Sequence, residues 1–277
     1  MNPSSSPPVI AGVSGSPASC RAVEAAAREA ATRGCPLHLV HAINCPPCTT
    51  DHPRAAGDLL QQAVATATAT APGLAIVTEL VEGYPVTGLL RRCRHAELTV
   101  IGDGGLNDQV CLPADAVAVQ IAARSFGTVM VTRAAPAPAG PILVGVDGAG
   151  APDPLLDFAF DEAASRRTGL LVIHVGEDRD RELDEVVATR ALKRGVQAQV
   201  RVLGGDPTAV LRRESQESSL IVVGARGRQP YHGLLGSVAQ TLLHHGRGPI
   251  VVVRGASRPR SGTRVEAPAA PAESARV

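Results

Sequence analysis

The sequence predicts an α/β protein built from two tandem open parallel sheets, each of five strands with helices on both faces. Two observations predict this class. The chain matches itself at a nearly constant offset, which is typical of a repeated structural unit. Within each copy, short continuous apolar runs alternate with segments of helical periodicity, as expected for parallel strands that are buried on both faces.

The repeat is visible in several matched segments. At an offset of 133 residues, segment 9–15 matches 142–148, and Glu-Ala-Ala-Thr-Arg at 29–33 matches Glu-Ala-Ala-Ser-Arg at 162–166. Later the offset is 122 residues, so that 98–102 matches 220–224 and 129–131 matches 251–253. The first copy therefore carries 11 extra residues, which lie between His41 and Gly73.

These matches divide the chain into five regions. We expect a disordered start (1–8), a first copy (9–133), a Pro/Ala-rich linker (134–140), a second copy (141–254) and a disordered tail (255–277). The two copies are expected to face each other as an intramolecular pseudo-dimer. Their last strands, Thr128–Val131 and Ile250–Val253, are apolar candidate edges, and such edges need covering.

The elements of the second copy follow from local pattern. Five short apolar or alternating runs predict strands at Ile142–Asp147, Leu170–Val175, Gln197–Leu203, Leu220–Gly224 and Ile250–Val253. Asp153-Pro154 and Asp206-Pro207 each predict a helix start, with Asp as N-cap and Pro in the first helical position. Two further helices are expected, over Asp180–Arg194 and from about Ser237 to His245.

Charge and hydropathy exclude several classes of function. The 277-residue chain has a formal net charge of +1, which gives no electrostatic basis for a nucleic-acid or membrane partner. No apolar run approaches the roughly 18–20 residues of a membrane helix. The polar, Pro/Ser-rich start lacks the pattern of a signal peptide. We therefore expect a cytoplasmic protein.

The cysteines and two histidines are candidates for redox or metal-binding roles, but their positions also fit free thiols and structural histidines. All six cysteines precede residue 112, and free thiols are the default for a cytosolic chain. Cys45-Pro-Pro-Cys48 has the spacing of a redox or metal motif, but it lacks a second Cys pair and lies in a predicted loop. His41 and His174 each close a short apolar run and are expected to be structural histidines with satisfied hydrogen bonds.

Three segments of the second copy are expected to meet at the carboxyl ends of the strands, where ligands bind in open parallel sheets. They are Asp147, the Gly224–Arg228 segment, and Gly236-Ser237. Glycines let a backbone approach phosphate closely, and the amides of a helix start favour an anion. Asp147 could accept hydrogen bonds from ribose or a base amine, and Arg226 or Arg228 could supply positive charge.

These residues resemble the universal stress protein family. Its nucleotide-binding members carry Gly-x2-Gly-x9-Gly-Ser/Thr after the fourth strand and an Asp after the first. Here Gly224-x2-Gly227 is followed by eight residues, rather than nine, before Gly236-Ser237. Gly205-Asp206-Pro207 adds to the match, and the resemblance covers 9–133 and 141–254.

The resemblance implies a sheet order of 3-2-1-4-5 and an adenine nucleotide as ligand: ATP, or alternatively AMP or ADP. By the same resemblance, Asp147 and Val175 would hold base and ribose, and the glycines with Ser237 would hold phosphates. The full set of candidate binding residues is Asp147, Val175, Gly224, Arg226, Gly227, Gly236, Ser237 and Val238.

The first copy departs from this pattern. Ser14 replaces Asp147, and Ala114-Asp115 replaces the Gly-Ser pair. Asp103 and Asp108 add further acids. Asp115 would serve as a helix N-cap, but a carboxylate in a phosphate seat repels an anion. We therefore expect the first copy not to bind ATP.

The resulting interpretation is an ATP-binding regulatory stress-response protein with one nucleotide site and a further, unspecified protein partner. Two chains could also pair as a homodimer. No catalytic set is evident, because the sole lysine, Lys193, lies outside the glycine loop, so we expect no enzyme, with slow ATP hydrolysis left open. Two alternatives stay open: a nucleotide-free interaction scaffold, and a cysteine-based redox sensor.

Overall fold

The computed structural model describes residues 6–43, 52–104, 116–147, 153–177, 180–225 and 235–254. The first half runs β1 (Val9–Val13), α1 (Pro17–Arg33), β2 (Leu37–Ile43), α2 (His52–Thr70), β3 (Ile76–Glu82), α3 (Pro85–Cys93), β4 (Leu98–Gly102), α4 (Val117–Arg124) and β5 (Val129–Thr132). The second half runs β6 (Ile142–Val146), α5 (Asp153–Arg166), β7 (Leu170–Val175), α6 (Arg181–Arg194), β8 (Ala198–Leu203), α7 (Pro207–Glu214), β9 (Leu220–Gly224), α8 (Ser237–His245) and β10 (Ile250–Val253). A 3-10 turn at Ser215–Glu217 follows α7.

The two halves have the same strand order. The sheet order is β3-β2-β1-β4-β5-β10-β9-β6-β7-β8, so each half reads 3-2-1-4-5 and the expected order is confirmed. Neighbouring strands within each half are parallel, as in Ile142↔Leu170 and Ile142↔Leu220. The expected α/β class with helices on both faces is likewise confirmed.

The two five-stranded sheets are joined into one, which the sequence did not predict. β5 and β10 pair antiparallel, with Ile250 opposite Val131, Val251 opposite Met130 and Val252 opposite Val129. Every residue of both strands is buried. The physical reason is that each edge would otherwise leave a row of backbone N–H and C=O groups unpaired.

The register of these strands corrects one sequence match. β9 aligns Ile221 with Ile250, whereas β4 aligns Thr99 with Val129. Because Thr99 and Ile221 differ by 122 positions, the equivalent of Val129 is Ile250, at an offset of 121, and not Val251. The second half is therefore one residue shorter between β9 and β10, in the same interval as the shortened glycine motif.

Helix starts agree in part with the predictions. Asp206 caps α7 by accepting a hydrogen bond from the Ala209 amide at 2.8 Å, and Asp180 caps α6 through the Leu183 amide at 3.1 Å. α5 begins at Asp153, one residue before the predicted first helical position at Pro154. The expectation that Asp115 caps α4 is wrong, because the N-cap is Ala116, which has no side-chain acceptor, and Asp115 lies outside the described residues.

Two apolar cores cover the two faces of the sheet. One packs α1, α2, α5 and α6 on alternate strand residues such as Val144 and Met130; the other packs α3, α4, α7 and α8 on their neighbours, such as Leu143 and Val131. Each core runs through both halves, so the burial of apolar surface stabilises the joined sheet as one body. Within the described ranges, no helix combines the length and apolarity needed to cross a membrane.

Reciprocal arginines tie the halves together on one face. Arg133, which follows β5, donates through Nη2 to the carbonyl oxygens of Leu242 (3.1 Å) and Leu243 (2.6 Å) in α8. Arg254, which follows β10, donates through Nη2 to the Ala122 carbonyl in α4 at 2.7 Å. Each arginine thus satisfies carbonyls at the carboxyl end of a helix in the opposite half, where a cation also suits the helix dipole.

A four-charge network joins the halves on the other face. Arg33 contacts Glu29 at 3.0 Å and Glu162 at 2.7 Å, and Arg166 contacts Glu29 at 2.9 Å and Glu162 at 3.0 Å. These residues are the ends of the matched segments 29–33 and 162–166. Burial raises the pKa of the Glu162 carboxyl to about 7, and the neighbouring Glu29 carboxylate adds to the rise, while Arg166 and Arg33 oppose it. The repeat therefore preserves a buried ionic contact between α1 and α5.

Candidate functional site

The candidate site lies at the carboxyl ends of β6 and β9. These strands are parallel neighbours, with Val144 opposite Val222, while β7 lies on the other side of β6. The connections leave in opposite directions at this point, which is where open α/β sheets bind ligands. Asp147 directly follows β6 and is exposed, as the prediction requires of a ligand-contacting residue.

The start of α8 is fastened to the end of β9. The Gly236 amide donates to the Ala225 carbonyl at 2.8 Å, and the Ala225 amide donates to the Val253 carbonyl at 2.9 Å. The motif therefore brings Gly236-Ser237 next to the strand that carries Gly224. The Gly236 N–H is already used in this contact, so any phosphate must be held by the amides that follow it.

Those amides belong to the first turn of α8. The first intrahelical bond runs from the Gln240 amide to the Gly236 carbonyl at 2.9 Å, so the amides of Ser237, Val238 and Ala239 precede it. The N-cap Gly236 makes no side-chain cap hydrogen bond, and the Ser237 side chain is exposed. A helix start with these groups favours an anion through its N–H groups and its dipole.

β7 is held to β6 next to the site. His174 Nδ1 lies 3.4 Å from the carbonyl oxygen of Val146, the residue before Asp147, and can donate to it when that nitrogen is protonated. The equivalent His41 Nδ1 lies 2.7 Å from the Val13 carbonyl oxygen. Both histidines therefore have the hydrogen-bond partners that the prediction gave them. Val175, the last residue of β7, directly follows His174 and is half-buried.

The described part of the chain places six of the eight predicted binding residues. Asp147, Val175, Gly224, Gly236, Ser237 and Val238 all lie at this end of the sheet. Arg226 and Gly227, with Arg228, lie outside the described residues. Within the described ranges, no group of three or more His, Cys, Asp or Glu side chains is arranged to hold a metal ion.

In the first half, Ser14 stands at the position equivalent to Asp147 and contacts its own chain. Ser14 lies in a cluster of three serines. Its amide donates a hydrogen bond to Ser19 Oγ at 2.9 Å, and its hydroxyl oxygen lies 3.1 Å from Ser16 Oγ. At Gly102, an added Cβ would lie only 2.6 Å from the Ala18 carbonyl carbon. The first turn of α1 therefore packs directly on the end of β4.

Asp103 has a different role from the one expected. Rather than facing a phosphate seat, it is buried, and its carboxylate lies 3.7 Å from Arg133 Nη1. Sequence reasoning missed Arg133 and Arg254 altogether. One indication was available, since both arginines directly follow the last strand of their copy. Asp108, Ala114 and Asp115 lie outside the described residues.

The described cysteines differ in their exposure to solvent. Cys35 and Cys93 are buried free thiols, and Cys20 is exposed. Burial raises the pKa of both buried thiols, which lowers the fraction of reactive thiolate at neutral pH. The Cys45–Cys48 pair and Cys111 lie outside the described residues.

This doubly wound fold, present twice, places the chain among the α/β proteins with open parallel sheets. Comparison with known families makes the assignment specific. A model of the universal stress protein family matches residues 7–133 and 176–254. The chain therefore belongs to the universal stress protein family. The second matched stretch includes the glycine motif but begins after Asp147 and Val175.

Individual relatives match this chain over most of its length and over nearly all of their own. A universal stress protein of Mycobacterium tuberculosis strain H37Rv is 31% identical over 284 residues, covering 89% of this chain and 96% of the relative. The crystal structure of a universal stress protein from Archaeoglobus fulgidus DSM 4304 covers 91% of this chain and 99% of its own, with a TM-score of 0.72 and 20% identity. A universal stress protein solved in complex with cAMP covers 47% of this chain, at 26% identity and a TM-score of 0.40.

Proposed function

We propose that this universal stress protein binds one adenine nucleotide per chain, in the second half, and uses binding to regulate contact with a protein partner. ATP is the proposed ligand, with AMP or ADP as the alternatives. The observation that carries the proposal is the start of α8, where uncapped first-turn amides lie beside the end of β9 at the point where the strand order reverses. Asp147 lies at the end of the adjacent strand.

The asymmetry between the halves supports a single site. In the first half, Ser14 stands where the second half has Asp147, and its amide and hydroxyl contact Ser19 and Ser16. Ala116 takes the helix start that Gly236 takes in the second half. The chain would then be a pseudo-dimer with one working and one closed site, and homodimers of the whole chain would present two working sites.

The proposed role is regulatory rather than catalytic. Nucleotide binding can shift a conformational population only if the two conformations differ in affinity for the nucleotide. Here α8 contacts the nucleotide region at its start, while its last carbonyls accept hydrogen bonds from Arg133 of the first half. A change at the site would therefore act directly on the junction between halves.

The competing function is a nucleotide-free scaffold. The motif is one residue short, and β10 is shifted by one residue relative to its counterpart, so the interval that should enclose the phosphates is shorter. A thiol sensor has less support, since the buried Cys35 and Cys93 have raised pKa values, which leaves Cys20 as the accessible thiol among the described residues.

The test is calorimetric titration of the full chain with ATP, AMP and ADP. We expect one site per chain, which Asp147→Ala and Gly236→Asp each weaken by at least about tenfold because one removes an acceptor and the other puts a carboxylate at the helix start. Ser14→Ala, at the equivalent of Asp147, is the matched control and should bind as the wild type does. Absence of binding would favour the scaffold, and two sites per chain would show that the first half is open.

A further inference from the structure

We propose that a second site, in a cleft between the two halves, binds a small polyanion that carries two or more phosphate or carboxylate groups. The cleft lies between α1, the end of α5 and segment 134–140, and has a volume of about 900 Å³. That volume is within the range of small-molecule sites. Its charged lining consists of Arg21, Arg28, Arg133, Arg166 and Arg167 against Glu24 and Glu29.

The cleft is separate from the candidate nucleotide site. It is lined by Thr168, Ser219 and Pro249, which precede β7, β9 and β10. It therefore lies at the amino ends of the strands of the second half, whereas Asp147 and the start of α8 lie at the carboxyl ends. The inference does not depend on the proposed function.

Some of the lining charges are already used within the protein. Glu29 and Arg166 belong to the four-charge network, and Arg133 is bound by Asp103 and the carbonyls of α8. Of the charged residues that line the cleft, this leaves three arginines and one acid, Glu24, outside those contacts. Arg21 makes one hydrogen bond, from Nε to the Ala134 carbonyl at 2.7 Å, and Arg28 is 61% exposed with Glu24 at 3.9 Å. The net charge available to a ligand is therefore positive.

Arg167 has a left-handed backbone conformation, which is unfavourable for residues other than glycine. Its φ is 53°, which makes it the one non-glycine residue with positive φ in the described ranges. The equivalent residue at the end of α1 is Gly34, with φ 63°, where glycine fits without strain. In the part of the chain that the structure describes, no acceptor contacts the Arg167 guanidinium. A strained, unpaired cation in a cleft suggests a functional constraint on this position.

The pseudo-symmetry of the chain supplies an internal comparison. At the offset of 133 residues, Arg21 corresponds to Pro154, Arg28 to Asp161 and Arg167 to Gly34. Asp161 is bound to Arg194 at 3.0 Å. The equivalent positions in the pseudo-symmetric half carry no positive charge, so the positive charge of these three arginines is particular to one side of the molecule. Charge-assisted hydrogen bonds from arginine suit phosphate and carboxylate groups.

The experiment uses the full chain carrying Asp147→Ala and Gly236→Asp, so that the nucleotide site does not contribute. Pyrophosphate and citrate are titrated separately at low ionic strength, which distinguishes phosphate from carboxylate ligands. We expect one of the two to bind once per chain. Adding Arg167→Gly should weaken that binding about tenfold, because it removes the cation. The same substitution should raise Tm, because glycine adopts this backbone conformation without strain.

The opposite signs of these two effects separate binding from folding. Arg212→Gln, on the exposed face of α7, is the matched control for the loss of one positive charge and should leave affinity unchanged. Arg28→Gln should weaken binding in the same direction as Arg167→Gly. The proposal is overturned if neither probe binds, or if Arg167→Gly and Arg212→Gln weaken binding equally.

Discussion

Single residues decide how closely the helices of this protein approach its sheet. At Gly102, a Cβ would lie 2.6 Å from the Ala18 carbonyl carbon and 2.7 Å from the Ser19 amide nitrogen. Both atoms are backbone, so a clash cannot be relieved by rotating a side chain. The absence of a side chain at Gly102 therefore sets how closely the first turn of α1 packs on the end of β4.

Gly102→Ala should destabilise the protein by about 1–3 kcal/mol, as overpacking of a filled interior does. The matched control is Gly57→Ala in α2, where an added Cβ meets nothing within 4 Å. There the change should stabilise by about 0.5–1 kcal/mol, because alanine has the better helix propensity. Urea unfolding of both variants measures the two free energies, and a neutral Gly102→Ala would mean that α1 shifts to make room.

What the sequence could predict also differs from residue to residue. Strand and helix positions were predictable because buried parallel strands are short apolar runs, and Asp206 was predictable as a cap because its interaction is local. Arg33 and Glu162 were visible only as members of a repeated segment. Their contact spans 129 positions, and nothing in the local pattern indicates which distant residue a charge will meet.

At the scale of elements, four helices reach the opposite half at their carboxyl ends. α4 and α8 each end against an arginine of the opposite half, and α1 and α5 end in the four-charge network. The shared β5–β10 pairing was not predictable, since an apolar edge strand indicates that a cover is needed but not which element supplies it. The glycine motif was easier to place, because strand, turn and helix start follow one another directly.

Arg254→Met should destabilise the protein by about 1–3 kcal/mol, because the carbonyls of Ala122 and Ala123 would lose a charged donor. Methionine keeps much of the side-chain volume, so the loss reports on the hydrogen bonds. Arg201→Met on β8 is the control: that arginine is 45% exposed, and the change should stay within about 0.5 kcal/mol. Equal effects of the two substitutions would show that the capping of α4 is energetically unimportant.

At the scale of the whole molecule, the joined sheet places two glutamates together in a buried contact. Glu162 is 2% exposed and lies in the same network as Glu29. Arginine side chains stay charged across the pH range in which carboxyls titrate, so the pH dependence considered is that of the Glu162 carboxyl. Removing a carboxylate from water without full compensation favours its protonated form. The halves are therefore joined by a contact whose energy depends on pH.

The direction of that dependence follows from the pKa of Glu162, which rises from 4.5 to about 7 on folding. Between these two values the folded chain binds more protons than the unfolded chain, so this group's contribution to stability is complete below pH 4.5 and is lost as pH rises to about 7. From pH 5 to pH 7.5, the wild type should therefore lose about 1–3 kcal/mol more than Glu162→Gln, which cannot titrate. Urea unfolding at both pH values measures the difference. If the two proteins follow parallel pH profiles, Glu162 is ionised throughout, and the arginines compensate its burial fully.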